Sequence, residues 1–119
     1  MTYNSEFLLN MLEDKDDDDI YLKLQEKLNN EFNEIEWESE IQENSKVFKL
    51  FLLLLKNNFI EKEIEQKFLM DLMNKNINFE TFKIIIENNK FLRERIKKED
   101  FNPRIHRNKL KFIENLKKN

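Results

Sequence analysis

Val47-Phe48-Lys49-Leu50-Phe51-Leu52-Leu53-Leu54-Leu55, closed on either side by Lys46 and Lys56, decides the fold. The run is apolar all round apart from Lys49, which predicts a central and most buried helix. Nine residues fall short of the ~20 that a bilayer helix needs. Outward from this run the apolar spacing stays helical. Ile20, Leu24, Leu28 and Phe32 recur at i+4 and Ile35 continues at i+3. Ile60, Ile64, Phe68 and Leu72 repeat the pattern, with Leu69 and Met73 widening the face, and Phe82, Ile85, Ile86, Leu110, Ile113 and Leu116 follow the same rule.

The ends of these helices are marked by asparagine, because the chain has no glycine. Asn29-Asn30, Asn57-Asn58 and Asn88-Asn89 each follow an apolar stretch, where asparagine substitutes for glycine in a left-handed C-terminal turn. Asn78, Asp16–Asp18, Ser5 and Asn44 or Ser45 are candidate N-caps. Pro103 suits the first turn of a last helix. The expected helices cover about 5–13, 17–33, 45–56, 60–74, 79–98 (interrupted near 88–90) and 103–117, by spacing and capping. Glu34–Ile41 dissents, since its polar and apolar residues alternate at period two. A lone strand would lack a partner and glutamate favours helix, so helix or irregular structure is expected there. The fold class is all-α: a compact bundle of about five to six helices in one domain, residues 1–119.

The absences exclude several chemistries. Without glycine there is neither a P-loop nor a dinucleotide turn. Without cysteine there is no disulfide, thiolate nucleophile or cysteine-ligated zinc. His106, the single histidine, cannot furnish a histidine-rich metal site or a choice of general bases, and it reads as a surface residue. Asp14-Lys15-Asp16-Asp17-Asp18-Asp19 starts like a calcium loop. It then has Asp19 and Gln25 where glycine and a bidentate glutamate belong. No metal, no cofactor and no catalytic set are expected. The N-terminus Met1–Glu6 has no basic n-region, so a cytoplasmic protein without a secretory signal or membrane segment is expected.

Charge carries the functional information. Residues 1–45 hold 14 acidic and 3 basic groups, residues 46–89 hold 6 and 7, and residues 90–119 hold 4 and 11, so the net charge of -3 hides two opposed ends around an apolar middle. Glu31, Glu34, Glu36, Glu38, Glu40 and Glu43 form a run with no cation between Lys27 and Lys46, and Trp37 lies within it. Trp37 is either the core anchor of this segment or an interface residue, and its acidic neighbours would steer a basic partner. On the second reading Glu34, Glu36, Trp37, Glu38, Glu40 and Glu43 cover the basic surface of a nuclease-like or nucleic-acid-binding protein. The chain is then a non-catalytic inhibitor or immunity-type protein, and carboxylates stand in for a phosphate backbone. The alternative is binding of nucleic acid by the basic C-terminal part, through Arg104, Arg107, Lys109 and Lys111. Self-association through pairing of the acidic and basic ends is a third expectation.

Overall fold

A computed structural model of the chain describes residues 17–30, 37, 39, 41, 45–75 and 77–118. The protein is all-α. Among the described residues there are six α-helices, one 3-10 turn and no strand. The helices are α1 (Asp17–Asn30), α2 (Ser45–Lys56), α3 (Lys62–Met73), α4 (Phe79–Asn88), α5 (Leu92–Arg95) and α6 (Arg107–Lys117), with the 3-10 turn at Lys98–Asp100. The expected first helix, near 5–13, lies outside the described residues. The chain divides into two compact units, Met1–Glu65 and Gln66–Asn119.

In the first unit α1 packs on α2, and α2 is the most buried helix, as its composition demands. Val47, Phe48, Leu50, Phe51, Leu52, Leu54 and Leu55 are all buried. What remains is a single stripe of Lys46, Lys49, Leu53 and Lys56 at helical spacing, and only Leu53 in it is partly covered. In the Glu-rich segment Trp37, Ser39 and Ile41 are helical. The indole of Trp37 is only 4% exposed. Its ring centroid lies 4.3 Å from that of Phe51 and 6.3 Å from that of Phe48.

The end of α2 shows how a glycine-free chain turns. Asn58 takes the left-handed conformation at φ 63°, the one described residue with positive φ. The amide of Phe59 donates to the Leu54 carbonyl and that of Asn58 to the Leu55 carbonyl, which is the Schellman arrangement. Asn57 adds its side-chain Nδ2, which donates to the Leu53 carbonyl at 2.8 Å. Asn88-Asn89 reaches the same end by another route. Asn89 is not left-handed (φ -135°), and its Nδ2 donates to the Ile85 carbonyl at 2.9 Å.

In the second unit α6 packs against α4 and α5. Phe68, Leu72, Phe82, Ile86, Leu92 and Ile113 are among its buried residues. Asn78 caps α4 as expected, its Oδ1 accepting the Thr81 amide at 2.8 Å from an extended backbone. Asn78→Ala is expected to destabilise the protein by about 1 kcal/mol, seen as a lower urea midpoint at unchanged slope. An unchanged midpoint would show that water replaces the cap at no cost.

Among the described residues two boundaries differ from expectation by more than two residues, and the first is the stretch expected to run helical to 98, where α5 ends at Arg95 and Ile96 is extended. The second is the start of the last helix, at Arg107 and not at 103, and Pro103 is not in its first turn. Asn102-Pro103-Arg104-Ile105 is a β-turn instead, with asparagine first and proline second, the order that suits such a turn. The Oδ1 of Asn102 accepts the Arg104 amide, and its carbonyl accepts the amides of Ile105 and His106. The turn carries Arg104 and Ile105 outward ahead of α6, and this sets up the site described next.

Candidate functional site

The site grows from the way α3 ends. The last four carbonyls of a helix have no partner within it. Here Asn74 bends back, its amide shared between the carbonyls of Met70 and Asp71. The next two carbonyls are closed from far along the chain. His106 Nδ1 lies 2.9 Å from the Met73 carbonyl, which requires the proton on Nδ1. Lys109 Nζ donates to the carbonyls of Leu72 at 2.8 Å, Asn74 at 2.7 Å and Ile77 at 2.7 Å. Three donors thus meet three acceptors. The ammonium also lies 5.2 Å from the centre of the Phe82 ring, within cation–π range.

These bonds fasten the start of α6 and the turn before it to the α3–α4 connection. Between the two stretches lies an open cleft of about 730 Å³. Lys75, Arg104, His106, Arg107 and Lys109 line it together with Asn74, Asn78, Asn108, Ile105 and Phe79, and no carboxylate among the described residues lines it. Lys75, Arg104 and Arg107 are exposed, and no ion pair among the described residues involves them. The first turn of α6 opens on the cleft, and His106 at its N-cap makes no side-chain capping bond. The positive end of the helix dipole therefore adds to the cationic charge. The one carboxylate on α6, Glu114, is bonded to Lys98 at 2.8 Å. That hydrogen bond holds the Glu114 carboxyl below its ordinary range and raises the Lys98 ammonium. A cleft so built can hold a phosphate or carboxylate group.

The candidates from sequence fall in different places. Arg104 and Arg107 meet at the cleft, and Lys111 is exposed one helical turn beyond Arg107. Lys109 is corrected: only 8% exposed, its charge is engaged by three carbonyls and is not presented to phosphate. Burial also pushes its ammonium from 10.5 down to about 8. His106, expected at the surface, is half-buried, with its ring edge-on to Phe101 at 5.5 Å. Glu34, Glu36, Glu38, Glu40 and Glu43 lie outside the described residues, and the Trp37 indole is enclosed within the first unit. Sequence reasoning missed Lys75, Phe79 and Ile105.

Among the described residues no group of histidine, aspartate and glutamate could hold a metal ion, and no helix is long and apolar enough to cross a membrane. Comparison with protein-family models, with curated proteins and with solved structures finds no match, so the chemistry of the cleft is what speaks for its ligand.

Proposed function

We propose that the protein is a non-catalytic binder of nucleic acid that holds the phosphate backbone at the cleft between the α3–α4 connection and the start of α6. The observation that carries this reading is a concave surface lined by Lys75, Arg104 and Arg107 and by no carboxylate among the described residues. Lys111, exposed a turn further along α6, extends the same basic tract. Cations released from phosphates on binding make such association strongly salt-dependent.

The test is fluorescence anisotropy of labelled DNA and RNA oligonucleotides titrated with the protein at roughly 50 to 200 mM salt. Affinity is expected to fall steeply across that range. Binding that ignores salt, or no binding at the lowest salt, would overturn the reading.

A second reading is favoured by the run of six glutamates with no cation between Lys27 and Lys46. On it the chain is an inhibitor or immunity-type protein that covers the basic surface of a nuclease-like or nucleic-acid-binding protein. Long-range attraction of this kind acts mainly on the association rate. Glu36→Lys with Glu38→Lys should slow association with a basic partner by roughly tenfold at low salt and leave dissociation nearly unchanged. Association rates equal to those of the unaltered protein would remove the role of the run.

A further inference from the structure

We infer that the cleft takes an unpaired nucleotide strand rather than a duplex, with a base lodged on an apolar wall formed by Ile105 and Phe79. This rests on the nucleic-acid reading above and names the form of nucleic acid. Ile105 is 74% exposed and Phe79 is 36% exposed, and both line the same cleft as Arg104, Arg107 and Lys75. A surface that gripped only the backbone of a duplex would have no use for large apolar side chains set between its cations.

The two side chains are held in different ways. Phe79 is fixed by its neighbours, lying 6.4 Å from Phe82 and 6.0 Å from Phe112, with Lys83 Nζ 5.5 Å from its ring centre. It is a rigid platform that loses little freedom when a ligand arrives. Ile105 stands on the Asn102–Ile105 turn, whose Asn102 bonds to the amides of Arg104, Ile105 and His106 fix the residue's place. An apolar surface flanked by cations matches the two halves of a nucleotide, since every base has an apolar face and every phosphate a negative charge. A base inside a duplex could reach this wall only by flipping out, at a cost of a few kcal/mol. An unpaired strand offers its bases already free. The cleft, at about 730 Å³, lies within the ~300–1,000 Å³ range of small-ligand sites.

The experiment compares three probes on the full chain at one low salt concentration: a labelled single strand, the same sequence as a duplex, and a single strand with abasic sites. The single strand is run as DNA and as RNA. The unaltered protein should bind the single strand about tenfold more tightly than either other probe. Ile105→Ser should erase most of that preference by lowering single-strand affinity more than duplex affinity. Because Ile105 is so exposed, this variant should keep its fold, and thermal unfolding followed by circular dichroism verifies that.

Equal affinity for the three probes, with Ile105→Ser neutral and strong salt dependence retained, would overturn this inference and leave the nucleic-acid reading standing. Failure to bind any probe would overturn that reading and the inference together. Displacement of the bound strand by polyglutamate as readily as by unlabelled strand would overturn both in favour of an acidic peptide.

Discussion

Lys109→Met should lower the free energy of unfolding by about 3 kcal/mol. Methionine keeps much of the apolar stem, so the loss isolates the ammonium. The removed donor strands the buried carbonyls of Leu72 and Ile77, while the Asn74 carbonyl keeps the Ile77 amide at 3.3 Å. An acceptor stranded away from water costs about 1–3 kcal/mol. Chemical denaturation at pH 7.5 measures the loss. A shift below about 0.5 kcal/mol, within the range of ordinary surface changes, would mean that the stranded carbonyls find other donors.

The same residue makes stability depend on pH in a defined direction. Burial lowers the folded-state value from 10.5 to about 8. Between those two values the unfolded chain holds a proton that the folded chain has released. Stability therefore rises with pH through that window, by linkage. Below about 8 the cost of burying the charge is fully present and constant. The unaltered protein minus Lys109→Met, measured from pH 7.5 to 10.5, removes what the other lysines and tyrosines contribute. That difference should increase with pH, and a flat difference would show that the bonds to the three carbonyls offset the cost of burying the charge.

Arg104→Glu with Arg107→Glu carries the largest expected effect on binding. Each arginine taken away from a phosphate should reduce the salt slope by about 0.9 on a duplex or about 0.7 on a single strand. Both removals together, with repulsion from the two new carboxylates, should weaken low-salt affinity by roughly a hundredfold. Both arginines are exposed, so the fold should be unaffected. Lys117→Glu with Lys118→Glu changes the net charge equally at the other end of α6, away from the cleft lining. If that pair weakened binding as much as the first, affinity would follow net charge and the cleft would not be the site.

How much of this the sequence carries depends on how local the cause is. The start and stop of α2 are legible at Ser45 and Lys56, because an apolar run between lysines and an Asn-Asn pair are contiguous signals. The start of α6 lies four residues beyond its expected place because proline serves two positions, the first turn of a helix and the second place of a turn. Asn102 before it favours the turn. Arg104 and Arg107 are legible as cations. Lys75 is not, because only the fold brings the α3–α4 connection to the start of α6. The inward turn of Lys109 does have a signal in the sequence: it stands four residues before Ile113 and so lies on the apolar stripe. What it bonds to there is set by the end of α3, far away in sequence.

That distance has a consequence for the order in which the chain folds. The stop of α2 is local, since its closing bonds span at most five residues. It can form as soon as the helix does, on the timescale of helix growth itself. The stop of α3 depends on a lysine 37 residues from its farthest acceptor, and bonds over such separations form late because the intervening loop must first close. The last turn of α3 should stay frayed until α6 docks and then lock in the same step. Helix completion and tertiary assembly are thereby one cooperative event in the second unit, and two successive ones at the end of α2.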